Sequence, residues 1–90
     1  GLSVAAIRPW GIIDSERMVT TDGASVTGFY FGSIDRRDVA SALVRALEAD
    51  DIGYECFYVM ATPGGYDATD TARTEERLGW KPQFPFDADL

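Results

Sequence analysis

The chain has 90 residues, enough for one domain and a small core. Apolar residues make up 46% and charged residues 26%, a globular rather than a disordered composition. A net charge of −7 argues against nucleic acid and anionic membranes as partners, since both need a positive field; it leaves open an anionic small molecule held by one well-placed arginine.

Basic charge is almost all arginine: seven Arg against the single Lys81. Cys56 is the only cysteine and histidine is absent, so there is no intrachain disulfide and no Cys-x-x-Cys metal site. No stretch is long and apolar enough to span a membrane, and no basic segment followed by an apolar run opens the chain. The expectation is a soluble, cytoplasmic protein.

In chain order, Leu2 to Pro9 ("LSVAAIRP") reads as a strand, and its continuous apolar run implies cover on both faces, as in a parallel sheet. Residues 10–25 show no sustained period and read as irregular. Val26 to Ile34 ("VTGFYFGSI") is rich in aromatic and β-branched residues and reads as a second strand. Asp35 then caps a helix running to about Ala49, its carboxylate accepting from the amide of Arg37 or Asp38. Val39, Ala40, Leu43, Val44 and Leu47 form its predicted apolar face. Tyr54 to Ala61 reads as a third strand covered on both faces, and Pro63-Gly64-Gly65 as a turn. Thr69 or Asp70 caps a short helix from Thr71 to Leu78. Gly79 supplies its left-handed end, Trp80 folds back, and Pro82 prevents resumption. The predicted fold is α/β: a single domain with a small three-stranded mixed sheet and two helices.

Three ordered segments carry a resemblance. "AAIRPWGII" resembles the "LRP" segment of the extended short-chain dehydrogenase/reductases, the NAD-dependent sugar epimerases and dehydratases. "GSIDRRDVASALVRALEADDIGYECFYVM" is similar to their later "D-V-A" helix and following strand, with Asp38, Val39 and Ala40 on the motif. "TARTEERLGWKPQF" is similar to their closing "LGWKP" helix. Arg17-Met18 resembles an Arg-Met pair of the uronate dehydrogenases. The resemblance implies the C-terminal segment of a Rossmann-type enzyme that uses NAD or NADP to act on a sugar, uronate or nucleotide sugar.

The departures bear on chemistry. The nine glycines never form the Gly-rich dinucleotide turn of that family. Tyr30, Tyr54, Tyr58 and Tyr66 are followed four residues on by Ile34, Tyr58, Thr62 and Asp70, so the family's Tyr-x-x-x-Lys pair is missing. The chain alone is therefore expected to hold no cofactor and to be catalytically silent. The resemblance makes Arg17, Arg36 and Arg37 candidate ligands for a carboxylate or phosphate, a role that suits a guanidinium fork. For Arg36 and Arg37 the competing reading is a salt bridge to Asp35, Asp38 or another chain, and for Arg17 a solvated loop position. Pro9, Trp10 and Gly11 would line the cofactor–substrate junction of a complete enzyme, with ordinary core packing as the alternative for Trp10. Cys56 reads as a strand residue rather than a nucleophile, and Asp67 and Asp70 as capping or solvated groups rather than metal ligands.

Two function classes stand: the substrate-binding segment just described, or a non-enzymatic module that oligomerises or binds a partner. In the family the "LSVAAIRP" strand has neighbours from a nucleotide-binding half. Without that half its edge invites another strand, so the expected partner is a second copy, giving a homodimer, or the missing half itself, the competing reading being that residues 10–25 fold back and cover the strand within one chain.

Overall fold

The computed structural model describes residues 4–29 and 31–86. Leu2 and Tyr30, both assigned to strands from sequence, lie outside the described residues. The described chain forms a small mixed α/β domain with two sheets and three helices, not one three-stranded sheet with two helices.

The elements are β1 (Val4–Arg8), β2 (Gly11–Asp14), β3 (Val19–Thr20), β4 (Ser33–Asp35), α1 (Arg36–Glu48), β5 (Tyr54–Tyr58), α2 (Pro63–Ala68) and α3 (Thr71–Leu78). β1 and β5 pair in parallel, Val4 opposite Tyr54 and Arg8 opposite Tyr58. β2 sits between β3, antiparallel, and β4, parallel. Residues 10–25 are thus a strand and a hairpin rather than irregular chain. β2 pairs with β3 across the hairpin and, at a distance in sequence, with β4, and no local period announces either.

The strand expected at Val26 to Ile34 shrinks to Ser33–Asp35. Its two phenylalanines are used elsewhere: Phe29 stacks on Phe86 with centroids 4.1 Å apart, and Phe31 meets Trp10 edge-on at 4.7 Å. The turn expected at Pro63-Gly64-Gly65 is the start of α2, capped by Thr62, whose hydroxyl accepts from the Gly65 amide. A side chain at Gly65 would collide with the Phe31 carbonyl, so this close approach requires glycine.

α1 starts as predicted: Asp35 is the N-cap and its side chain accepts from the Arg37 amide. Its inward face differs from the prediction. Asp38 and Ala42 are buried, with Val39, Ala46 and Ala49 packed against the core. Ala40, Leu43, Val44 and Leu47 are exposed, Leu47 at 87%. The small side chains let α1 approach the core closely, while the large ones stand outside it.

α3 also matches its sequence reading. Asp70 caps it, and Gly79 takes the left-handed conformation at φ 66°. Trp80 folds back, 2% exposed, and its indole N–H donates to the Asp38 carbonyl and the Ser41 hydroxyl, both at 3.0 Å. The strap that follows is held by one carboxylate. Asp38 accepts from the amides of Gln83 at 2.7 Å and Phe84 at 3.0 Å, and Phe86 N–H donates to the Ala61 carbonyl at 2.8 Å.

The β1–β5 pair is covered on one face. Ala5 and Ile7 pack against the core, Phe57 is 1% exposed, and Arg73 of α3 lies over the Phe57 ring. On the opposite face Val4, Ala6, Arg8, Tyr54, Cys56 and Tyr58 are half-buried or exposed, Tyr54 at 83%. The two-sided cover expected for β1 and β5 is therefore corrected: both α1 and α3 lie on the Ala5 side.

Candidate functional site

Charged groups converge where β2 ends and α1 begins. Asp14 closes β2, and its carboxylate accepts from the amides of Glu16 at 3.0 Å and Arg17 at 3.3 Å, an Asx-type turn that sets the loop. Met18 ends that loop at φ 55°, the only non-glycine residue with positive φ among those described.

Asp35 is the hub. It is fully buried and accepts from Ser15 N at 2.9 Å, Ser15 Oγ at 2.5 Å, Arg37 N at 2.8 Å and Arg37 Nε at 2.8 Å. Burial alone would push its carboxyl up. The hydrogen bonds from Arg37 and Ser15 together outweigh it and hold the group far below the usual carboxylate range. Asp35 is thus a fixed anion at neutral pH, not a proton donor or acceptor.

The three candidate arginines gather around this hub, each with acidic partners. Arg37 pairs with Asp35 and with Glu16 at 3.3 Å, and its guanidinium lies 3.5 Å over the Phe84 ring. Arg36 reaches Asp14 at 3.5 Å and Glu16 at 3.2 Å. Arg17 is 82% exposed with one long contact, 3.9 Å, to Asp14. The intrachain salt-bridge reading therefore describes both helix arginines, through Asp35, Asp14 and Glu16 rather than Asp38. Arg17 and the exposed half of Arg36 are the parts of the cluster open to an anion.

Pro9, Trp10 and Gly11 lie at the other end of β2, about 10 Å from Asp14 at the usual strand rise. Gly11 N donates to Gly32 O at 2.8 Å, and Trp10 is 53% exposed against Phe31, so it is not core. The two candidate groups share one strand but do not meet.

Of the remaining polar candidates, Asp70 has a structural partner: it accepts from Arg73 N at 3.3 Å. Burial raises the Tyr66 phenol to about 12, so it stays protonated at neutral pH. Burial also pushes the Asp38 carboxyl up, against the amides of Gln83 and Phe84, but it faces the strap. Among the described residues no group of His, Cys, Asp or Glu is placed to hold a metal ion, and no helix is long and apolar enough to cross a membrane. Sequence reasoning missed Ser15, Glu16 and Phe84 as members of the cluster. The "DSER" turn was the one local signal for the first two.

No known protein family, curated protein or solved structure matches this chain.

Proposed function

We propose that this chain is the substrate-binding C-terminal segment of an NAD-dependent epimerase/dehydratase-like protein acting on a sugar, uronate or nucleotide sugar, not catalytic on its own. One observation carries this reading. β1 and β5 run parallel, the chain between them includes α1, and among the described residues helices cover one face only. Parallel strands are otherwise found in sheets of several strands with both faces covered. The pair has the character of the end of a larger doubly wound sheet, and ligands of such sheets bind beyond the carboxyl ends of the strands. Pro9, Trp10 and Gly11 follow the carboxyl end of β1, the position the resemblance assigns to the cofactor–substrate junction.

In this reading Arg17 and Arg36 take the anionic group of the substrate, exchanging the half-exposed Glu16 for it. Arg37 orients the loop through Asp35 and Ser15. The residues present do not fit NAD or NADP: there is no Gly-rich turn and no Tyr–Lys pair. No hydride step is assigned to this chain.

The test is a nitrogen-15 NMR titration with millimolar glucuronate. The expected result is shifts at the Arg17 and Arg36 guanidinium resonances that disappear in Arg17→Ala. An unchanged spectrum removes the substrate role. In parallel, NAD and NADP with uronates should give no change in nicotinamide absorbance; turnover above a buffer control contradicts the catalytic silence.

A further inference from the structure

We infer that the free edge of β1 binds a second copy of this chain, forming a symmetric dimer through a β1–β1 pair. The inference rests on the strand edge and its surroundings, not on the substrate reading above.

Val4 N donates to Gly53 O at 2.7 Å, and Arg8 O accepts from Val59 N at 3.5 Å. Residues 4, 6 and 8 therefore face β5. By the alternation of a strand, the amides and carbonyls of Ala5 and Ile7 point to the opposite edge, where no described strand lies. A two-fold axis perpendicular to the sheet sets β1 antiparallel to its mate. Centring it on Ala6 places Ala5 opposite Ile7 of the second copy, and both outward residues of each chain then exchange their bonds. Shifting the centre to Ile7 would bring in Pro9, which has no N–H. Centred on Ala6, the described edge is thus self-complementary.

The side chains beside the edge fit the same occupant. An open groove of about 620 Å³ is lined by Val4, Ala5, Leu43, Ala46, Leu47 and Ile52, among others. Of these, Leu47 is 87% exposed and Leu43 49%. In the dimer both α1 helices lie over the same face of the joined sheet, so each copy offers a protruding leucine and a groove to its mate, as an isologous interface requires. A stable interface buries about 800 Å² per partner, so the strand pair alone is not enough and the exposed leucines of α1 must be covered with it. The edge has room for one strand, so self-pairing and completion by a nucleotide-binding half exclude each other.

Sedimentation equilibrium from micromolar to submillimolar concentration tests this. A dimer is expected, with its dissociation constant raised at least tenfold by Ala5→Pro, which removes an outward N–H but no bond to β5. Leu47→Asp should weaken it similarly, and circular dichroism reports whether either variant remains folded. Should Ala5→Pro unfold, Leu47→Asp alone decides. A sole species at the 9.8 kDa monomer mass throughout overturns the inference. So does a dimer indifferent to the folded variants. Neither outcome bears on the glucuronate titration, which reads the arginine cluster where β2 ends and α1 begins.

Discussion

Asp35 and Asp38 sit one helical turn apart and their carboxyls are driven in opposite directions. Asp35, lowered, contributes stability above the ordinary carboxylate range near pH ~3.9, and that contribution is lost as pH falls through this range toward its folded value. Asp38, raised by burial, opposes folding when ionised; protonation in the fold recovers stability between its folded value and the ordinary one. Wild type should therefore gain stability relative to Asp38→Asn as pH falls from neutral toward mild acid, before the Asp35 loss begins. Urea denaturation at both pH values checks the sign, and an unchanged difference contradicts it. Asp38→Ala strips the acceptor from the Gln83 and Phe84 amides and should cost roughly 1–3 kcal/mol at neutral pH. Met18 holds a left-handed backbone conformation that costs a side-chain residue about 1–2 kcal/mol. Met18→Gly should accordingly be more stable than Met18→Ala by about 1 kcal/mol, a comparison that cancels the lost thioether.

At the scale of the element, α1 has two apolar faces and buries the one with the smaller side chains. Leu43, 49% exposed, should lose less than about 1 kcal/mol on Leu43→Ala in the monomer. Ala42, fully buried, has no room to grow, and Ala42→Leu should cost about 1–3 kcal/mol through overpacking. Chemical denaturation of both variants ranks the faces. A larger loss at Leu43 would reverse the assignment of inside and outside.

For the whole molecule, the two sheets are tied together by α1 and by the strap that Trp80 begins. Trp80 touches α1 through Asp38 and Ser41, and Phe86 reaches both Ala61 and Phe29. Trp80→Ala should cost about 3–5 kcal/mol and lower the single unfolding transition of both sheets together. Fluorescence of a Trp10→Phe chain reports on the buried Trp80 alone, and circular dichroism on the whole. Non-coincident curves would mean that the sheets unfold separately.

The sequence by itself determined β1, both ends of α1 and α3, the Gly79 stop and the return of Trp80. Each depends on groups within a few residues: a cap carboxylate beside an amide, a glycine free to turn left-handed, a proline without an N–H. The resemblance named Arg17, Arg36 and Arg37 as candidate ligands but did not announce that they gather into one cluster. Their neutralisation by Asp14, Glu16 and Asp35 was not legible, because Asp14 and Arg36 meet across 22 positions of chain. Tertiary structure alone decided the β3-β2-β4 sheet, the loss of a strand at residues 26–29, the inward face of α1 and the single covered face of the β1–β5 pair. In each case two local patterns were equally satisfiable. The choice fell to partners distant in sequence: Phe86 for Phe29, Trp10 for Phe31, and Trp80 for the polar side of α1.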